Sequence, residues 1–239
     1  MDLEIAVQDA AGAAVAIAAG ADRVELCQAL SSGGLTPSVG TIDAVLAAAG
    51  SGERVAVLVR ARPGGFVYDD AEIGLVAADV REAVRRGVGG VVVGALRPDG
   101  TVDAEAMRRW IDVAGAAEVT FHRAIDTVAD PVAAVDELAA LGVHRVLTSG
   151  GAHRSIDGAE VLSAMARCAA GRMQIMVGGG VGVADIPGLV GTGVDAVHMS
   201  ARRPASDPGI SGPGGGIDGY DVTDAGIVAA ARAALDALR

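Results

Sequence analysis

The chain contains no lysine: all 19 of its basic residues are arginine. A Schiff-base mechanism needs a lysine amine, so that chemistry, and the barrel aldolases that use it, are excluded. Aromatic residues are almost as scarce, at 2% against 51% hydrophobic residues overall. The core must therefore be built from Ala, Val, Leu and Ile, the small and branched residues that fill a parallel sheet. Two cysteines, Cys27 and Cys168, lie too far apart in the sequence to suggest a disulfide framework, which fits a reducing compartment. Positive charge is outweighed as well: a net charge of −11 argues against a nucleic-acid partner, whose phosphates call for a basic surface. No apolar run reaches about 18 residues without a charge or a glycine. The opening stretch, MDLEIAVQDAAGAA, carries acids where a signal peptide carries positive charge. No membrane partner is expected, and the expected location is cytoplasmic.

What the sequence does have is rhythm. Short apolar runs rich in β-branched residues alternate with longer alanine-rich amphipathic stretches, the mark of repeated βα units. The runs are Leu3 to Val7, Arg23 to Cys27, Val55 to Arg60, Gly90 to Gly94, Glu118 to His122, Arg145 to Thr148, Gln174 to Val177 and Ala196 to Ser200. The helices between them are expected at Asp9 to Ala19, Ser38 to Ala49, Asp70 to Arg86, Asp103 to Ala114, Pro131 to Leu141, Gly158 to Ala169, Val183 to Val190 and Asp224 to Leu238. Glycine punctuates the helix ends, as in Ala-Gly-Ala-Asp before the second run and Leu-Gly-Val-His before the sixth. Eight such units in 239 residues predict an α/β fold, a single (β/α)8 TIM barrel in one domain over residues 1–239. An open doubly wound sheet competes with it, but such a sheet gathers its ligand groups at one crossover, whereas here many strands end in polar residues. Arg202 to Asp221 breaks the rhythm as a Gly/Pro-rich loop of the kind that is functional or mobile.

Residues i and i+2 of a strand share a face, so polar pairs show which parity points into the barrel. Glu25 pairs with Cys27, Thr120 with His122, His198 with Ser200, and Arg60 with Arg62; the first strand adds Glu4. In such barrels the strand C-termini gather the catalytic and binding groups. A buried Glu25–Arg60 ion pair is the structural alternative for these two residues. The densest segment is Thr120 to Asp126: His122 suits a general acid or base, with Asp126 orienting the ring or fixing Arg123. A purely structural histidine–aspartate bond is its alternative. His144 and His153 flank the sixth strand and read as surface residues.

Two glycine-rich turns, Ser149-Gly150-Gly151 and Gly178-Gly179-Gly180, offer backbone N–H groups to an anion, and Arg202 or Arg203 adds charge nearby. Tight βα turns use glycine for steric reasons too. Glu25, His122, Asp126 and His198 are thus the catalytic candidates. Arg60, Arg62, Arg123, Ser149, Gly150, Gly179, Gly180 and Arg202 are the ligand-binding candidates. As to metals, Cys27 is the mouth-facing sulfur, with Met173, Met176 and Met199 in the last strands, and no cysteine pair has ligand spacing. Copper(I) favours such soft ligands, whereas Glu25, His122 and His198 suit a harder divalent ion. The residues require no cofactor.

Taken in order, these segments resemble a known family. Val24-Glu25-Leu26-Cys27 is followed by Ser32-Gly33-Gly34-Leu35-Thr36-Pro37-Ser38, then Arg60 to Tyr68 (RARPGGFVY), TFHRAIDTV at Thr120 to Val128, RVLTSGG at Arg145 to Gly151, the triple glycine, and His198-Met199-Ser200-Ala201-Arg202. The set is similar to the CutC-type copper homeostasis family over nearly the whole chain. The resemblance implies a cytoplasmic barrel that forms homodimers or higher homo-oligomers and is associated with copper handling, with copper as a possible ligand at Cys27. The positions it carries over are Glu25, Cys27, Arg60, Arg62, His122, Arg123, Asp126 and His198. One departure stands out. The family segment reads Arg-Pro-Arg-x-Gly-Asp-Phe, whereas here Pro63 follows Arg62 and Gly65 replaces the acid before Phe66. Two functions therefore stand side by side: copper binding and intracellular copper handling, or a lyase-, isomerase- or hydrolase-type enzyme acting on a small anionic or phosphorylated metabolite.

Overall fold

The computed structural model describes residues 1–206, 209 and 219–238. Strands β1 (Asp2–Val7), β2 (Arg23–Leu26), β3 (Val55–Leu58), β4 (Gly90–Val93), β5 (Glu118–Phe121), β6 (Arg145–Thr148), β7 (Gln174–Gly178) and β8 (Ala196–Met199) follow one another in parallel. Between and after them lie α1 (Ala10–Ala18), α2 (Val39–Ala49), α3 (Asp70–Arg85), α4 (Ala104–Ala114), α5 (Pro131–Ala140), α6 (Ala159–Ala169), α7 (Ile186–Val190) and α8 (Ala225–Asp236). The last strand returns to the first, Glu4 lying opposite His198, so the sheet closes as the expected (β/α)8 TIM barrel.

Local chemistry explains why the helices start and stop where they do. Asp9, Ser38, Asp69, Asp103, Asp130 and Asp224 each accept a hydrogen bond from a backbone N–H of the first turn. Five of these six caps are aspartates, so part of the acidic excess is spent on helix starts. The glycines expected to end helices, Gly20, Gly87, Gly142 and Gly193, have φ of 107°, 90°, 85° and 87°, a region costly for other residues.

Burial follows the helical period. In α2 the buried residues are Ile42, Val45 and Ala49, one stripe laid against the sheet. Each aliphatic side chain removed from water this way stabilises by about 1.5–3 kcal/mol. The main core lies between sheet and helices, while two smaller clusters fill the barrel itself: Cys27, Ala56, Leu58 and Val92 on one side, Leu147, Met176 and Ala196 on the other.

Arg202 to Asp221 is not loop throughout. Arg202–Ala205 (β9) and Tyr220–Thr223 (β10) form an antiparallel two-stranded ribbon, with Thr223 opposite Arg202. Alternation in these short stretches is obscured by Pro204 and the flanking glycines, which is why they read as loop; the glycine run between them lies outside the described residues. Among the described residues no helix is long and apolar enough to cross a membrane.

Candidate active site

The pleat delivers alternate side chains to the barrel mouth. Glu25 and Cys27 from β2, Arg60 two residues beyond the end of β3, His122 just past β5, and His198 and Ser200 from the end of β8 line one cavity of about 280 Å³. Arg123, Gly179, Gly180 and Arg202 line it too, and Leu30, Leu58, Phe66, Leu147 and Met199 supply its apolar surface. That is a volume for a small metabolite, a little below the usual range of ligand pockets.

Its acidic side is backed by a row of three, of which Glu25 and His198 line the cavity and Glu4 lies beneath them. His198 Nδ1 lies 2.8 Å from Glu4 Oε1, and His198 Nε2 lies 3.6 Å from Glu25 Oε2. Glu4 is wholly buried, and Arg23 Nε sits 2.8 Å from its Oε2 in an ion pair that lacks hydrogen-bond alignment. Burial alone would raise the Glu4 pKa, but the His198 hydrogen bond and the charges of Arg23, His198 and Arg145 hold it down at about 2. Glu25 behaves oppositely. Burial pushes it up, the Glu4 charge adds to the rise, His198 and Arg23 only partly offset it, and it reaches about 7. Burial works against a charged His198, yet its hydrogen bond to Glu4 and the two carboxylate charges raise its pKa. One carboxylate is kept ionised and its neighbour is poised near neutrality, the arrangement that divides acid and base roles between paired groups. Gly178 makes the space for this histidine, since a Cβ there would fall 3.1 Å from its Cβ and Cδ2.

The wall beyond the ends of β3 and β5 is cationic and incompletely paired. Arg60 is only 6% exposed. Its Nη2 donates to the Gly64 carbonyl and its Nη1 to the carbonyls of Ser32, Gly33 and Gly34 at 3.3–3.5 Å. It pairs with no carboxylate among the described residues, and its Nε has no partner. The expected alternative of a Glu25–Arg60 ion pair is therefore not what forms; Glu25 faces His198 instead. Beside Arg60, the His122 ring accepts at Nδ1 from the Ala124 N–H, at 3.2 Å. That bond places the ring proton on Nε2, which is buried without a partner among the described residues. Burial first, then the Arg60 charge, drive the His122 pKa down to about 3. The ring is thus neutral at neutral pH with its tautomer fixed, whereas Glu25 is the group of this cavity held near neutrality. Phe66 tilts against it with centroids 4.8 Å apart, and Gly94 leaves room for it: a Cβ there would lie 2.5 Å from the ring.

Four expected site residues do not line this cavity. The Asp126 carboxylate accepts from Arg123 Nε at 2.7 Å, Thr148 Oγ1 at 2.6 Å and Ser149 N at 3.0 Å. It fixes Arg123, one of its two expected roles, and does not orient the His122 ring. Ser149 Oγ donates to the Ala152 carbonyl at 2.7 Å, and the Gly150 N–H donates to Thr148 Oγ1 at 2.9 Å, so these groups hold their own turn together. Arg62 turns outward to bond Glu72, the residue that closes the capping box of α3, and lies over the Tyr68 ring at 5.1 Å. Strand parity put Arg62 on the face of Arg60, but β3 ends at Leu58 and parity lapses beyond it. Conversely, Glu4 belongs to the acidic row. Its parity was visible in the sequence, but nothing there showed that β8 would bring His198 against it.

Among the cations, Arg123 is matched by Asp126 and Arg202 by Asp221 at 2.7 Å; Arg60 alone of the three has no carboxylate among the described residues. The metal candidate Cys27 lines the cavity, yet it is fully buried among Ala56, Leu58 and Val92. Burial and then the Glu25 charge push its thiol well above the usual range, which disfavours the thiolate that binds soft metals. Ligand atoms of Glu4, Glu25 and His198 lie within 4.8 Å of one another. A metal would accept that spacing, but the Glu4 oxygens already meet His198 and Arg23, so shared protons account for the trio. His144 and His153 are not buried, as expected of surface residues.

Comparison with known proteins agrees with the resemblance in the motifs. The model of the CutC family matches residues 1–203. A relative from Xanthomonas campestris pv. campestris (strain 8004), named family protein CutC, is 44% identical over 233 residues, covering 93% of this chain and 95% of that one. One of the same name from Treponema denticola is 38% identical, covering 86% and 83%. A crystal structure of a protein named as the copper homeostasis protein CutC of Streptococcus agalactiae is 30% identical with a TM-score of 0.77, covering 84% of this chain and 98% of that one.

Proposed function

The chain belongs to the CutC family, and from that premise we propose that its barrel mouth is the active site of an enzyme acting on a small anionic metabolite. The observation that carries this reading is the buried pair of Arg60 and His122. A guanidinium with no carboxylate partner among the described residues, bonded to carbonyls and lying over the Phe66 ring, and a neutral ring whose Nε2–H has no partner among them line the same cavity. Leaving such donors unsatisfied costs about 1–3 kcal/mol each, and more when charged; both atoms are closed to solvent, so a ligand oxyanion at the cavity wall would satisfy them after a small shift of the two side chains. Glu25, poised near neutrality beside His198, is the group able to accept or deliver a proton to that ligand. The test is calorimetric titration with inorganic phosphate and with sulfate. Binding is expected in the native protein and is expected to weaken about tenfold or more in Arg60→Met, the loss of one charge-assisted contact. Equal binding in both proteins would overturn the placement.

Copper handling is the second reading, supported by the name that the Streptococcus agalactiae protein carries and by Cys27 and Met199 lining the same cavity. The donor set does not fit copper(I), however. The one thiol is held protonated in an apolar cluster, and the nearer polar ligands are oxygen and nitrogen, which suit harder ions. Titration with copper(I) against a competing chelator decides it: tight binding lost in Cys27→Ser would restore the copper reading, and binding that ignores the substitution would remove it.

A further inference from the structure

Resting on the anion-site reading, we propose that this cavity takes a small anionic carbonyl compound and enolises it, with Glu25 as the base and His122 as the neutral donor to the carbonyl oxygen. In that step a Glu25 oxygen takes a proton from the carbon next to the carbonyl. The C–H pair becomes the C=C bond, and the carbonyl π pair moves onto oxygen. The resulting enolate oxygen is held by the His122 Nε2–H, and the ligand's own anionic group meets Arg60. Return of the proton from Glu25 to the same carbon, which takes it with the C=C pair as the C=O bond re-forms, closes the cycle with no oxidant, reductant or Schiff base. The absence of lysine leaves this chain no imine route to the same carbanion.

Three features of the site favour this class of substrate. First, the base and the donor line one cavity from different strands, Glu25 on β2 and His122 at the end of β5, so a ligand in that cavity would meet both side chains. Second, the donor is fixed. The Ala124 N–H bonded to Nδ1 settles the tautomer, and Phe66 and the gap at Gly94 settle the ring's place. A neutral imidazole is better matched to a developing enolate than a full cation, and pairing it with a carboxylate base is an established way to enolise a carbonyl at neutral pH. Third, the base is supported from behind: His198 stands between Glu25 and Glu4, and Glu4 is anchored by Arg23, so His198 is a positioning residue for the base and Glu4 for His198.

The test uses two alkylating probes of equal reactive carbon, bromopyruvate, which is anionic, and bromoacetone, which is neutral. A carboxylate placed to take the proton on that carbon attacks it instead: a C–O bond forms, the C–Br bond breaks, and bromide leaves with the pair. Because Cys27 lines the same cavity, labelling is mapped by mass spectrometry in the native chain and in Cys27→Ala. The expected result is an ester on Glu25, formed about tenfold faster with bromopyruvate and slowed by inorganic phosphate. His122→Gln, which keeps a side-chain N–H, should retain more labelling than His122→Leu. Phosphate binding with no ester on Glu25 in either chain would overturn the enolisation and leave the anion site standing. Equal rates with both probes and no protection by phosphate would overturn the anion site and leave the pairing of base and donor. Equal labelling in the native protein and His122→Leu would overturn the role of the histidine.

Discussion

The floor of the barrel and its mouth are both lined with buried charge, but only the floor balances its own. At the floor, Arg23 lies between Glu4 and Glu118, at 2.8 and 2.6 Å. Arg145 donates through Nε to Gln174 Oε1 at 2.9 Å and is within 4 Å of both Asp2 and Glu4. At the mouth, Arg60 meets carbonyls and the Phe66 ring but no carboxylate among the described residues, the His122 Nε2–H has no partner among them, and Glu25 faces an imidazole at 3.6 Å. Buried charge persists in folded proteins when it is paired, and removing one partner is far more costly than never having built the pair. The floor thus serves the fold. The mouth carries electrostatic features that the fold alone does not use, and that contrast is the physical basis of the proposed site.

Breaking the floor should have the largest effect on stability. Glu4→Gln leaves Arg23 and His198 without their shared carboxylate, and chemical denaturation should show a loss of about 3–5 kcal/mol. Arg60→Met, at the mouth, removes a cation that no carboxylate among the described residues depends on. Its loss of stability should be smaller than that of Glu4→Gln, while phosphate affinity falls; a larger loss in Arg60→Met would erase the distinction between the two regions. Gly179→Ala is expected to cost roughly 1–2 kcal/mol through its left-handed backbone. Its φ is 118° and a Cβ would lie 2.8 Å from Arg123 Cζ, so it should also displace that arginine and weaken anion binding.

Glu25→Gln sharpens the comparison through pH. In the unfolded chain Glu25 loses its proton near 4.5, in the folded protein near about 7, so the folded state binds the extra proton between these values. Native stability from this group therefore declines as pH rises across that window. The groups facing Glu25 are His198, Glu4 and Arg23. Denaturation curves should place Glu25→Gln level with the native protein below about pH 4.5 and progressively ahead of it towards neutrality. A stabilised but inactive variant is the outcome expected where function opposes stability. Smallest of all, Cys27→Ser should alter anion binding little, because the thiol sits in the apolar cluster with Leu58.

Much of the barrel was legible because its signals are local. Period-two runs, alanine-rich helices and glycine stops give eight units, and the strand Arg145 to Thr148 ends where it was expected. Parity at Glu25, Cys27, His122 and His198 also reads directly, since all four belong to or directly follow regular strands. What the sequence did not disclose were contacts across the barrel. Nothing local tells that Glu4 meets His198 from a strand 194 residues away, or that Asp126 spends its oxygens on the turn after β6. Nor does it tell that a bond from Ala124 fixes the tautomer of His122. Arg62 failed for the simplest reason, that alternation stops where the strand does.

The central claim rests on His122, and nitrogen NMR of the histidine-labelled protein reads it directly. The account predicts a neutral His122 ring protonated at Nε2 throughout the range from about pH 5 to 8, whose Nε2–H signal moves when inorganic phosphate is added. A ring that titrates near its ordinary pKa, or carries its proton on Nδ1, would contradict it.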